Sequence, residues 1–253
     1  MNNYRKEKVI NYYVNIISLT ELLNEVKRFS LSSKGHYICI SNVHMLIEAY
    51  NHEKFAEIIN NADLSLPDGR PVYWALKLLN HKDAEHLPGY YVTKKLCKFA
   101  AENNLKVGFY GGENETLNKC ISNLKKEFEK LTIAYAYSPP FRVLTNDEKK
   151  EIIGNINSSE IEILFVCLGC PKQEYWMAEH KDYLKCTSLG MGAAIEFISD
   201  VKTVPPKWVQ KMGLFWLARL ITEPRRLFWR YLSTNCKFIY LFSKQYFKFK
   251  LNS

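Results

Sequence analysis

Up to about residue 200 the chain alternates short apolar runs with stretches of helical period, and few architectures accommodate that rhythm. Tyr37-Ile-Cys-Ile-Ser41 reads as a strand that leads into a helix from about 43 to 60. Lys106-Val-Gly-Phe-Tyr110 reads as a strand that passes through Gly111-Gly112 into a helix ending near 130. Residues 131–137 read as a strand, 146–157 as a helix, 161–168 as a strand, 171–181 as a helix and 185–189 as a last short strand. A helix after nearly every strand argues for the α/β class, with a mostly parallel, Rossmann-like sheet covered by helices on both faces. Ligands of such sheets bind in the crevice beyond the carboxyl ends of the strands, so the residues just after each strand are the ones to search.

The rhythm stops at Pro205-Pro206. Beyond it glycines nearly vanish and aromatics crowd in, and Glu223-Pro224 marks a second break, which predicts two helices over about 207–221 and 224–248. The expected organisation is a main domain over 1–203 and a basic, aromatic helical appendage over 204–253. From Lys207 onward ten basic residues stand against the single acid Glu223, so this segment carries the whole net charge of +9. Such a tail suits a packed helix pair with a solvated basic face, a nucleic-acid surface, or an anchor lying in the headgroup region of an anionic membrane. Clusters such as Phe238-Ile-Tyr-Leu-Phe242 are too apolar for a phosphate-tracking face, which puts the membrane ahead and argues against a nucleic-acid partner.

The seven cysteines are odd in number and sit mostly in apolar stretches, as reduced thiols of a cytosolic protein do. No secretory signal is evident at the N-terminus, and no run approaches the roughly 18 apolar residues of a membrane span. The expected location is therefore the cytoplasm, peripheral to the membrane.

Several loops carry chemistry. Leu66-Pro-Asp-Gly69 follows the short apolar stretch 62–66. It suits a plain turn with Asp68 bonded to its own backbone, and equally a carboxylate in a crevice that takes a proton from an attacking hydroxyl. The second role requires a pKa lifted above the usual value near 3.9, by burial or by an acidic neighbour. Leu168-Gly-Cys-Pro-Lys-Gln-Glu174 lies where a strand passes into a helix, with Pro171 at the expected first helical position. The amides of Gly169 and its neighbours, the helix dipole and Lys172 suit an anionic phosphate there, and a capped, solvated turn is the plain alternative. Cys167 and Cys170 also form a Cys-x-x-Cys pair at this point, the spacing of a redox motif. Gly111, in the turn after a strand, would let a diphosphate approach the backbone, although the full Gly-x-Gly-x-x-Gly spacing is absent. No Asp-x-Asp occurs and none of the six histidines pairs at helical ligand spacing, so no visible motif requires a divalent metal. Positive charge at a diphosphate would then come from side chains.

Together these segments resemble the WecG/TagA/CpsF family of bacterial glycosyltransferases. The resemblance rests on Ser41-Asn-Val-His44, Leu66-Pro-Asp-Gly69 and Leu168-Gly-Cys-Pro-Lys-Gln-Glu174 with Trp176. It continues in the closing run from Gly190-Met-Gly-Ala-Ala194 through Pro206-Lys-Trp208 to Arg219-Leu220, Glu223-Pro-Arg-Arg226 and Arg230-Tyr231. These stand in the family's order over about residues 37–232. The resemblance implies an inverting transferase that moves a hexose or N-acetylhexosamine-type sugar from a UDP-sugar, a co-substrate rather than a cofactor. The acceptor it implies is a polyprenyl-diphosphate-linked saccharide for cell-wall or exported polysaccharide. It assigns the general base to Asp68, the donor pocket to Gln173 and Asn42, and the diphosphate, acceptor or membrane to Arg219, Arg225, Arg226 and Arg230. Gly69, Glu174 and Gly192 join the substrate-binding candidates as members of the matching motifs.

The chain departs from the family pattern at Ile40 in place of Thr, His86 in place of Arg, Glu196 in place of Asp, and Phe215 in place of an acid; an Arg is also missing from Thr203-Val-Pro-Pro206. His86 and Glu196 are accordingly candidate donor-site residues, and the donor is expected to differ from the N-acetylmannosamine type. Self-association into a homo-oligomer stays open. The rival readings are a membrane or nucleic-acid adaptor on the same fold and a Cys-x-x-Cys oxidoreductase.

Overall fold

The computed structural model describes residues 4–252. Its first element is an antiparallel hairpin, β1 (Lys6–Val9) and β2 (Tyr12–Asn15). There follow α1 (Leu19–Ser30), β3 (His36–Ser41), α2 (Val43–Asn51), α3 (Glu53–Asn60), β4 (Leu64–Pro67), α4 (Arg70–Leu78), α5 (Gly89–Asn103) and β5 (Lys106–Tyr110). The chain continues through α6 (Asn114–Glu127), β6 (Thr132–Tyr137), α7 (Asn146–Ser158), β7 (Ile163–Val166), α8 (Lys172–His180), β8 (Thr187–Gly190) and α9 (Ala194–Ile198). It closes with α10 (Lys207–Lys211), α11 (Phe215–Thr222) and the long α12 (Pro224–Leu251).

Strands β3 to β8 form one six-stranded sheet in the order β4-β3-β8-β7-β5-β6, parallel throughout. Its two faces are read directly from β3. Tyr37 and Cys39 point into one apolar layer with α2, α3, α4, α7 and α8, while Ile38 and Ile40 point into the other with α1, α5, α6 and α9. Pairing aligns Ser41 with Pro67, Tyr110 with Val166, and Val166 with Gly190. The strands therefore end in line, and the loops that begin at Asn42, Asp68, Gly111, Cys167 and Met191 gather along one edge.

The C-terminal helices do not hang free. Phe238 and Phe242 of α12 are buried in the same layer as α2, and Gln245 accepts from the Ile10 amide at 2.7 Å, tying α12 to the hairpin. Three departures from the sequence reading change the course of a helix. The helix expected over 43–60 is two helices that meet at His52, whose extended backbone breaks the first. The helix expected over 207–221 is interrupted at Gly213, which adopts φ +74 with its Cα against the Trp74 ring; a Cβ would come within 2.5 Å of that ring. Pro171 precedes α8 as its cap instead of opening it.

Candidate active site

Asp68 sits at the carboxyl end of β4 and is held from three sides. Its amide donates to the Ser41 carbonyl at 3.0 Å, its carbonyl meets the His86 ring, and its carboxylate accepts from the Gly89 amide at 2.9 Å. That last donor is the first residue of α5, so the carboxylate lies at the positive end of a helix dipole. Burial nevertheless pushes the Asp68 carboxyl up to about 6, while the Gly89 amide, the charge of Arg219 and the Asn42 side chain pull it back. His86 is pushed down to about 4, by burial first and then by the charge of Arg70, so its ring is neutral at pH 7 and can donate to the Asp68 carbonyl. The arrangement leaves a carboxylate that is ionised at neutral pH yet basic enough to take a proton.

Beside it, Asn42 caps α2 by accepting from the Met45 amide at 3.2 Å, and Gly69 lies close over the Asn42 backbone. A Cβ at Gly89 would lie 3.5 Å from Ile40, so the departure at residue 40 places an apolar side chain beneath the start of α5.

The loops after β7 and β8 meet at Gln173. Its Oε1 accepts from the Gly169 amide at 3.2 Å and the Gly192 amide at 3.0 Å, and its Nε2 donates to Glu174 Oε1 at 2.7 Å. Gln173 and Glu174 are both buried, Lys172 is exposed, and the Gln173 amide is bonded to the Gly169 carbonyl. The Gly169 and Gln173 amides of this turn are therefore bonded within the protein, where the sequence suggested that they stood free. Gly111 and Gly112, both at positive φ, turn the chain tightly against Cys167, Leu168 and Ile195.

The C-terminal helices bring cations to the crevice unequally. Arg219 of α11 stacks over Phe197 at 6.0 Å, lies 4.0 Å from Glu223, and acts electrostatically on Asp68. Arg230 of α12 lies over Tyr231, and its charge helps to hold His44 below its ordinary pKa, after burial. The Nε atoms of Arg219 and Arg230 are buried without a hydrogen-bond partner. Arg225 is exposed, and the side chain of Arg226 lies outside the described residues. Glu196 is engaged by Lys202 at 2.6 Å, and Lys202 also reaches Glu223 at 2.9 Å, linking the end of the sheet domain to α12.

Three contributors were not singled out from sequence: the Gly89 amide, Arg70 beside His86, and Lys202. The Pro88-Gly89 pair is a legible break before a helix and would have led to the first; neither of the others carries a local signal. The Cys-x-x-Cys reading fares poorly. Burial pushes both Cys167 and Cys170 well above the ordinary thiol range, so neither is poised as a thiolate. Among the described residues no group of three or more His, Cys, Asp or Glu side chains is arranged to hold a metal ion.

A family model described as Glycosyl transferase WecG/TagA/CpsF family matches residues 7–252, from the hairpin to the end of α12. The chain is 27% identical over 209 residues, 82% of its length and 78% of the relative's, to the N-acetylglucosaminyldiphosphoundecaprenol N-acetyl-beta-D-mannosaminyltransferase of Bacillus spizizenii. It is 23% identical over 229 residues, 89% of its length and 88% of the relative's, to the protein of the same name from Staphylococcus aureus.

Proposed function

This chain belongs to the WecG/TagA/CpsF family of glycosyl transferases, and from that premise we propose that it moves a hexose or N-acetylhexosamine-type sugar from a UDP-sugar to a polyprenyl-diphosphate-linked saccharide, with inversion. The relatives' names support the lipid-linked acceptor. The observation that carries the reading is Asp68: a carboxylate at the strand edge, fixed by the Gly89 amide, with its pKa lifted to about 6.

The ionised Asp68 takes the proton of the acceptor hydroxyl as its oxygen bonds to the anomeric carbon. The bond from that carbon to the diphosphate oxygen breaks on the opposite face, and its electron pair leaves with UDP. Arg219 and Arg230, each with a buried unpartnered Nε, supply positive charge for the diphosphate, an electrostatic contribution of roughly 3 kcal/mol per well-placed donor. Residues 1–203 carry the chemistry. Residues 204–253 form a membrane-associating appendage that delivers those arginines while Trp208, Trp229 and Phe247, all exposed, meet the anionic lipid that holds the acceptor. Among the described residues no helix is long and apolar enough to cross a membrane, and the proposed site of action is the cytoplasmic face of the plasma membrane.

The donor is proposed to lie outside the N-acetylmannosamine type, because Ile40, His86, Glu196 and Phe215 replace residues of the family pattern near the crevice. Calorimetric titration with UDP-glucose, UDP-galactose, UDP-N-acetylglucosamine and UDP-N-acetylmannosamine tests this. Selective binding of one of the first three is expected. Preference for UDP-N-acetylmannosamine would overturn the donor assignment, and no binding of any would overturn the UDP-sugar reading.

A further inference from the structure

Gln173 and Glu174 form a buried unit whose bonding is fully legible. An amide oxygen has two lone pairs, and both on Gln173 Oε1 are occupied, one by Gly169 of the loop after β7 and one by Gly192 of the loop after β8. One N–H of Nε2 goes to Glu174 Oε1. Little of this side chain is left for a ligand, and it is only 4% exposed. Space enforces the arrangement, since a Cβ at Gly190 would stand 2.7 Å from Gln173 Nε2. The two backbone amides, which can only donate, and the Glu174 carboxylate, which accepts, agree on the orientation of the amide: Oε1 faces the loops and Nε2 faces Glu174.

We propose that Gln173 and Glu174 act as a clasp that holds the glycine loops after β7 and β8 at a fixed spacing. Gln173 is thereby a positioning residue for the donor pocket instead of a direct sugar contact, with Glu174 its orienting partner. The pocket half of this statement rests on the UDP-sugar reading above; the clasp itself does not. The groups that face Glu174 are the Cys170 thiol, Cys39 of β3 and Tyr12 of β2, all neutral, with Glu48 of α2 acting on Cys170. Glu174 Oε2 has no hydrogen-bond partner by distance and angle, and burial raises the carboxyl to about 7. Protonation would replace the charge-assisted bond to Gln173 with a neutral one and loosen the clasp as pH falls through that range.

The test reads the amides without substrate, as hydrogen-exchange protection of Gly169 and Gly192 in wild type, Q173A, E174A and E174Q between pH 6 and 8.5. Removing one bond of ordinary net strength should cut protection about fivefold at both amides together in Q173A. E174Q keeps an acceptor for Nε2 but a neutral one, so its protection should stay near the level the wild type reaches at pH 6 and lose the wild-type rise towards pH 8. Unchanged protection in Q173A, or loss at only one glycine, overturns the clasp. If Q173A does not fold, E174Q decides: a pH dependence identical to wild type overturns it. UDP binding measured on the same proteins should weaken in Q173A and E174A, and less in E174Q, which keeps a neutral acceptor. UDP binding that survives loss of protection overturns the positioning role, whereas a wild type that never binds UDP while the amides respond as expected overturns the donor reading and leaves the clasp intact.

Discussion

At the scale of single residues, the account turns on the opposing demands on Asp68. The folded chain lifts its carboxyl to about 6, whereas the unfolded chain returns it to near 3.9, so between those values the folded state binds the proton more tightly. Lowering the pH through that window favours folding, and at pH 7.5 the half-buried carboxylate costs stability. D68N should therefore raise stability by about 1–2 kcal/mol at pH 7.5, and the gain should vanish near pH 4, as read by denaturant titration at both values. Turnover should move the other way. Wild-type activity is expected to fall as the pH drops below about 6, because only the ionised form accepts the proton. A D68N protein less stable than wild type at pH 7.5 would contradict the burial argument. The turn Leu66-Pro-Asp-Gly69 was legible in the sequence, with Asp68 as a candidate base; the Pro88-Gly89 break was also visible, but not that its amide reaches back across an irregular stretch to hold the carboxylate.

At the scale of elements, the helices after β5, β6 and β7 were readable because their apolar residues recur with helical period between glycine and proline breaks. The hairpin was not. Its strands are four residues each, and its turn places Ile10 at φ 65, where Asn or Gly is the usual signal. The tail was read as two helices, but its docking on α2 and the hairpin depends on which of its many aromatics face inward. Phe238 and Phe242 are buried, while Ile239, Tyr240 and Phe247 are more than 60% exposed. F238A should accordingly cost about 3 kcal/mol in chemical denaturation. The double variant W229S/F247S, at exposed positions, should leave stability within about 0.5 kcal/mol and weaken sedimentation with phosphatidylglycerol vesicles. Undiminished vesicle binding by that variant would remove the outer aromatic face from the membrane proposal.

At the scale of the whole molecule, the parallel class followed from the strand–helix rhythm, but the strand order did not. β8 is the last strand in sequence and lies between β3 and β7, so the Gly190–Gly192 loop emerges between the early Asn42 loop and the later Gly169 loop, and Gln173 joins it to the latter. The family model's span to residue 252 takes in α12, in keeping with a tail that packs into the main core and brings Arg219 within electrostatic reach of Asp68. Sheet edge, base and cations are thus parts of one proposed site whose function is sugar transfer. The most direct test is transfer from each UDP-sugar to a short-chain polyprenyl-diphosphate N-acetylglucosamine, with the anomeric configuration of the product read by NMR, in wild type and D68N. The account predicts one donor consumed, an inverted product, and turnover in folded D68N lower by about a hundredfold or more; a retained configuration, or a folded D68N that turns over at the wild-type rate, would contradict it.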